Sequence, residues 1–281
     1  MFINYNGDFY SLNEPALNSA NRSFLYGDGL FESMRMINGK IMFLEEHLHR
    51  LKQGMKALHI KIPAYFNISF FTEQIGELAA KSGVSQNARI RLNVFRKEGG
   101  FYAPEDDNAG WLISITHASE NNYEINSSGL HIDVFPEIKK SINKLSAFKT
   151  CNALIYVLAG VWKNTQNLDE VLIVNENNRI CEGLNANVFI LRNNQIMTAP
   201  VSEGCIEGVM RNQVINIIKK RNILYSEGKI EISDLNSADE VFLTNASSGV
   251  RWVSAFRNKR YFCRCSKEIV NSLNSLIENE L

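Results

Sequence analysis

Leu145-Ser146-Ala147-Phe148-Lys149-Thr150-Cys151-Asn152-Ala153-Leu154-Ile155-Tyr156-Val157-Leu158-Ala159-Gly160 places a lysine at the end of a short mixed lead-in, directly ahead of a strongly apolar run. Ala153, Tyr156, Val157 and Gly160 recur at helical spacing, with Thr150 or Asn152 in position to cap the helix. A lysine against apolar surface loses solvation in its charged form, so its pKa falls and its amine becomes a usable nucleophile of the Schiff-base kind. A lysine at a helix start can equally lay its stem on apolar surface and keep its ammonium in water. The stretch alone leaves both readings open.

Downstream, Leu130 to Phe135, Glu170 to Val174, Asn187 to Leu191, Gln195 to Thr198 and Glu240 to Thr244 read as strands rich in β-branched and aromatic residues. Gly208-Val209-Met210-Arg211 opens a helix that turns Met210, Val214, Ile217 and Ile218 inward. A glycine at a helix mouth lets backbone N–H groups approach an anion, and the helix dipole adds attraction. Ser266 to Leu281 closes the chain as an amphipathic helix.

Upstream, Met1 to Tyr5 and Asp8 to Ser11 flank Asn6-Gly7, and Phe31 to Ile37 and Lys40 to Phe43 flank Asn38-Gly39, both hairpin signals. Tyr26-Gly27-Asp28-Gly29 reads as a turn. Leu44, Leu48, Leu51, Met55 and Leu58 form an apolar helical stripe; Arg50 falls off it, where a solvated arginine is the plain expectation. Phe70 to Lys81 is a second amphipathic helix. Ala88 to Phe95 and Trp111 to Thr116 are strands, the first carrying Arg89 and Arg91 on one face. Arg96 to Gly100 is a flexible basic loop. Residues 119–129 lack periodicity and read as a linker between a first domain at 1–118 and a second at 130–281.

The 281 residues carry 30 basic and 30 acidic side chains, a balance that argues against nucleic-acid and membrane-surface partners. The longest apolar runs are too short for a membrane span, and the N-terminus lacks a signal-peptide pattern. Five scattered cysteines offer neither a disulfide framework nor a metal set, which fits a reduced, cytoplasmic protein.

Four elements, taken in order, carry a resemblance: Tyr26-Gly27-Asp28-Gly29-Leu30-Phe31-Glu32; His47-Leu48-His49-Arg50-Leu51; Lys149; and Cys181-Glu182-Gly183 with Ile206-Glu207-Gly208-Val209-Met210-Arg211. Together they resemble the class IV aminotransferases, fold-type IV enzymes that use pyridoxal 5′-phosphate. That group includes branched-chain and D-amino-acid aminotransferases and aminodeoxychorismate lyases. The resemblance implies an α+β fold with a small N-terminal α/β domain and a larger, β-rich C-terminal domain carrying the cofactor lysine.

It also implies roles. Lys149 would carry the cofactor and move the substrate proton, and Glu182, in a turn, would pair with the protonated pyridine nitrogen. Arg50 would grip the phosphate, helped by the amides of Val209 and Met210. Ala246 and Ser247 sit where relatives contact phosphate and substrate; Ala246 stands in for a threonine found in many relatives, so its share is backbone only. Phe31, Arg91, Arg96, Tyr102 and Ser247 are the substrate candidates. Lys139, Lys140 and Lys144 are rival lysines, but only Lys149 precedes the asparagine and apolar helix of the family pattern.

The substrate class is less marked. Gly100-Phe101-Tyr102-Ala103-Pro104 lacks the Arg/His carboxylate trap of the D-amino-acid enzymes, and Phe31 replaces their tyrosine. Phe31-Glu32-Ser33-Met34-Arg35 and Arg91 are near the branched-chain pattern. Gly99-Gly100-Phe101-Tyr102, Gly208-Val209-Met210-Arg211 and Asn245-Ala246 have counterparts among the lyases. The expectation is an aminotransferase acting on an amino acid and a 2-oxo acid, with aminodeoxychorismate lyase as the alternative and a non-catalytic relative as a third. The resemblance further implies a homodimer in which the loop around Arg96 to Pro104 reaches the partner.

Overall fold

The computed structural model describes residues 1–14 and 16–278. The chain divides into two compact units, Met1–Asn121 with Phe148–Asn152, and Asn122–Ala147 with the chain from Ala153 onward. The lysine stretch is therefore cut: Phe148–Asn152 belongs with the N-terminal residues, not with the C-terminal domain expected to carry it.

The first unit runs β1 (Phe2–Tyr5), β2 (Asp8–Ser11), α1 (Arg22–Tyr26), β3 (Gly29–Ile37), β4 (Lys40–Ile41), α2 (Leu44–Ala57), α3 (Ile68–Lys81), β5 (Ala88–Arg96) and β6 (Ala109–His117). Its strands form one antiparallel sheet in the order β2-β1-β6-β5-β3-β4. Asn6-Gly7 and Asn38-Gly39 hold positive φ at both positions, as two-residue hairpin turns require. Helix α3 starts two residues earlier than the apolar pattern suggests, because the Asn67 side chain accepts the Phe70 N–H as an N-cap. Leu48, Leu51 and Met55 of α2 and Phe71, Ile75 and Leu78 of α3 pack with Met34, Ile90, Leu92 and Ile113 of the sheet.

Period-2 alternation gives β3 two distinct faces. Leu30, Glu32, Met34 and Met36 share one parity and are buried, the three apolar ones within that core; Phe31 and Ser33 have the other and stay half-exposed. β5 obeys the same rule, burying Ala88, Ile90, Leu92 and Val94 and leaving Arg89 and Arg91 exposed.

The second unit runs β7 (Leu130–Val134), α4 (Leu154–Thr165), β8 (Glu170–Val174), β9 (Arg179–Gly183), β10 (Asn187–Arg192), β11 (Gln195–Thr198), α5 (Val209–Lys220), β12 (Leu224–Glu227), β13 (Ile230–Glu231), α6 (Asp234–Ser237), β14 (Glu240–Asn245), β15 (Gly249–Phe256), β16 (Lys259–Arg260) and α7 (Cys265–Glu278). Its sheet is mixed, in the order β12-β11-β10-β14-β15-β7-β8-β9-β13, with β16 paired to β15. The expected closing helix begins at Cys265, and the last three residues of that expectation lie outside the described part.

Two expectations change here. Residues 122–126 are no loose linker: Tyr123 is buried, its N–H and carbonyl bond the Asn274 side chain, and its hydroxyl donates to the Ala246 carbonyl. Asn126 likewise accepts from the Trp252 N–H and donates to its carbonyl. Side-chain anchoring of this kind leaves no periodicity to read. Arg179–Gly183, expected as a turn, is strand β9 between β8 and β13. Among the described residues no helix is long and apolar enough to cross a membrane.

Candidate functional site

The Lys149 segment lies beside the start of β3. The Phe31 N–H donates to the Lys149 carbonyl at 2.8 Å, the Cys151 N–H donates to the Gly29 carbonyl at 2.9 Å, and Leu30 and Thr150 form an isolated antiparallel bridge. This close approach explains a glycine of the motif. A Cβ at Gly27, already at φ +66°, would stand 2.6 Å from the Asn152 Oδ1. Asn152 therefore packs on that turn and caps nothing; α4 starts at Leu154 after Ala153, without a side-chain cap.

Beside this bridge the Lys149 Nζ is 4.6 Å from the centroid of the Phe31 ring, and the Arg91 guanidinium carbon is 3.8 Å from the same centroid. The register produces the second contact. Ser33 pairs with Arg91 and Phe31 with Asn93, so Arg91 reaches Phe31 as a diagonal neighbour on the same face. Lysine, aromatic ring and arginine thus form one cluster, held together by cation–π attraction.

Arg50 belongs to the other face of β3. It is buried, with its Nε 2.8 Å from Glu32 Oε1 and its Nη2 2.5 Å from Oε2, and His47 Nδ1 lies 2.7 Å from the same Oε2. His47 and Arg50 are three residues apart on α2 and so project together. Arg50 is not the solvated residue that its distance from the apolar stripe suggested: an arginine can face a core when a carboxylate meets it there. Burial pushes the Glu32 carboxyl up, but the Arg50 charge and hydrogen bonds from His47 and Arg50 outweigh it and hold the group at about 2.

Arg96 also has fixed partners. Its nitrogens donate to Asp28, Asp107 and the carbonyls of Leu58 and His59. Arg22, which the sequence did not single out, joins Asp28 and gathers the carbonyls of Gly99, Gly100 and Phe101 at 2.7–3.1 Å. The loop is anchored at its base while Phe101 and Tyr102 remain 82% and 90% exposed at its tip. The Tyr102 ring lies 5.5 Å from that of Tyr26.

In the second unit Glu182 is buried on β9. Its Oε1 accepts from the Lys140 Nζ at 2.5 Å and the Tyr156 hydroxyl at 2.6 Å, and its Oε2 accepts the Ile206 N–H at 2.8 Å. Lys140 entered the sequence reading only as a rival to Lys149, and Tyr156 only as a helix position. No spacing signal joins residues 42 and 26 positions away from their partner.

Ile206 leads to the mouth of α5. The Asn187 amide donates to the Ile206 carbonyl at 2.8 Å, and a Cβ on Gly208 would fall 1.9 Å from the Asn187 Oδ1, so a side chain there would have to displace Asn187. Val209 and Met210 begin the helix with no side-chain cap. Thr244 pairs with Asn187 across β14 and β10, which puts both side chains on one sheet face, and the Thr244 Oγ1 is buried with no hydrogen-bond partner. After it, the Asn245 Oδ1 accepts the N–H groups of Ser247 and Ser248 and folds Ala246 and Ser247 into a tight turn.

An uncapped helix mouth, an orphaned hydroxyl and a carboxylate oxygen with one lone pair beyond Ile206 are the features a phosphorylated, nitrogen-containing ring needs. Pyridoxal 5′-phosphate fits this donor set.

Residues 29–256 match the model of the amino-transferase class IV family. A Methanocaldococcus jannaschii protein assigned as a branched-chain-amino-acid aminotransferase is 28% identical over 255 residues, covering 89% of this chain and 86% of its own. The aminodeoxychorismate lyase of Bacillus subtilis is 24% identical over 249 residues, covering 87% and 83%. The fold is that of the branched-chain aminotransferase of Thermoproteus uzoniensis solved with norvaline, at TM-score 0.89, 21% identity and coverage of 99% and 95%. The chain belongs to the class IV aminotransferases, enzymes of fold type IV in a pyridoxal-phosphate-dependent family.

Proposed function

We propose that this enzyme moves an amino group between an amino acid with an apolar side chain and a 2-oxo acid, using pyridoxal 5′-phosphate held by its own residues. The observation that carries this reading is the cluster of Lys149, Phe31 and Arg91, which sets an amine, an apolar ring and a guanidinium side by side.

When bound, the cofactor supplies an electron sink for charge developing at the substrate Cα. Lys149 holds the cofactor and takes and returns the Cα proton with the same amine. Arg91 binds the substrate carboxylate with its planar fork, and Phe31 offers the side chain an apolar wall. Glu182 accepts a hydrogen bond from the ring nitrogen and keeps it protonated. Val209 and Met210 offer amides to the phosphate, with Ser247 nearby in the chain's Asn245 turn, and Arg50 adds a guanidinium that Glu32 holds in place. Arg96 acts through the loop base it fixes, and Tyr102 through the loop tip.

The test is a product assay with branched-chain, aromatic and D-amino acids against 2-oxoglutarate, run beside aminodeoxychorismate. Oxo-acid formation from a branched-chain L-amino acid supports the proposal. Pyruvate release from aminodeoxychorismate without transamination moves the enzyme to the lyase reading.

We also propose a homodimer. Its supports are the exposed stripe Leu154, Val157, Leu158 and Val161 on α4 and the exposed aromatics of the Phe101-Tyr102 loop. Mixing Lys149→Ala chains with chains truncated in that loop should restore activity in heterodimers. Full activity from a protein that light scattering finds monomeric would end this part of the reading.

A further inference from the structure

Lys140 is a buried lysine for which the amino-transfer chemistry above names no task. Its backbone is fixed by the Val174 carbonyl and the Glu176 N–H, and its side chain is 10% exposed. The ammonium reaches Glu182 Oε1 at 2.5 Å and the Ser146 carbonyl at 3.2 Å. Ser146 is itself pinned, its hydroxyl donating to the Ser141 carbonyl and accepting from the Asn143 N–H. One ammonium thus ties Glu182 to the turn that precedes Lys149 in the chain.

The Tyr156 hydroxyl and the Cys181 and Cys205 thiols around Glu182 carry no charge at ordinary pH. Burial, reinforced by the Glu182 charge, pushes up the Tyr156 hydroxyl and the Cys181 thiol, and lifts the Cys205 thiol to about 12. Arg211 on α5 is engaged by Glu227 and the Ala199 carbonyl. Lys140 brings a positive charge into direct contact with Glu182. A buried carboxylate deprived of its cation takes up a proton instead.

Resting on the cofactor reading above, we propose that Lys140 is a positioning residue for the ring-nitrogen contact. Its ammonium keeps Glu182 ionised and pins Oε1, so that Oε2, with Ile206 on one lone pair, keeps the other for a protonated pyridine nitrogen.

The test measures pyridoxal 5′-phosphate binding to the apo-enzyme by tryptophan fluorescence across about pH 5.5 to 8.5, a window in which an ordinary carboxyl stays ionised. The proteins are the wild type, Lys140→Met, Lys140→Arg, Glu182→Gln and the Lys140→Met/Glu182→Gln double variant. Lys140→Met should bind more weakly than wild type as pH falls, by up to about tenfold per pH unit. Lys140→Arg should restore the wild-type curve, and adding Glu182→Gln to Lys140→Met should remove the extra pH dependence. Infrared difference spectra of the apo wild type against Glu182→Gln at pH 7 should contain no protonated-carboxyl band, a readout that needs no Lys140 variant to fold.

A protonated Glu182 in the wild type, or a Lys140→Met curve that follows wild type at every pH, overturns the proposal while leaving the cofactor reading intact. A wild type that binds no cofactor overturns both.

Discussion

Glu32 and Glu182 are both buried carboxylates, one in each unit, and each meets a cation and at least one further hydrogen-bond partner. They differ in how the cation is presented. The planar fork of Arg50 spans both oxygens of Glu32, and His47 adds a third side-chain contact, so the carboxylate is enclosed by residues of its own unit. Lys140 is a point charge on one oxygen of Glu182, shared with Tyr156, and the other oxygen accepts a backbone N–H. The first arrangement holds an arginine still. The second divides its partners between the two oxygens.

The comparison is broken most sharply at Glu182. Glu182→Gln should lower kcat by about 10²- to 10³-fold, the loss typical of removing a preorganised electrostatic contact, while the apo-protein keeps its melting temperature within a few degrees. Steady-state kinetics beside calorimetry check this; near-normal kcat would mean that another acid serves the ring nitrogen. Glu32→Gln should do the reverse. It leaves Arg50 buried without its counter-charge and should cost about 3 kcal/mol of stability in denaturant unfolding, with kcat of the cofactor-saturated enzyme close to wild type. A variant as stable as wild type would show that Glu32 is not what holds Arg50.

Arg50→Ala should raise the cofactor dissociation constant by about 10- to 100-fold, the equivalent of roughly 1.5–3 kcal/mol for a lost charge-assisted contact. Unchanged affinity in that variant would confine Arg50 to its pairing with Glu32.

The smallest effect concerns acid. The folded-state pKa of Glu32 is depressed to about 2 from an ordinary 4.5, so its contribution is complete above pH 4.5 and disappears as pH falls toward 2. Acid unfolding of wild type should therefore be steeper across that window than that of Glu32→Gln. Parallel curves would contradict the ionised pairing.

Much of this was legible in the sequence because periodicity reports burial. α5 turns Met210, Val214, Ile217 and Ile218 inward as its pattern requires, and both Asn-Gly hairpins form where they are written. What was not legible depends on pairs distant in the chain. Arg50 looks like a surface residue until Glu32, on a strand, meets it from across the core. Lys140 looks like a rival nucleophile until β9 brings Glu182 to it. The first residues after Asn121 look like a linker because Tyr123 and Asn126 are anchored by hydrogen bonds to residues distant in the chain, which no period encodes. Glu182 was assigned to a turn because five residues ending in glycine are too short to separate a strand from a turn. Phe148–Asn152 was assigned to the C-terminal domain because Gly27 and Gly29, which admit it, lie 120 residues earlier.

The central claim, that Lys149 is the lysine that carries the cofactor, is tested most directly by borohydride reduction of the cofactor-loaded protein followed by peptide mapping. A single pyridoxyl label is expected on Lys149, and it should disappear in Lys149→Ala together with turnover. A label on Lys140 or Lys144, with Lys149 unmodified, would contradict it.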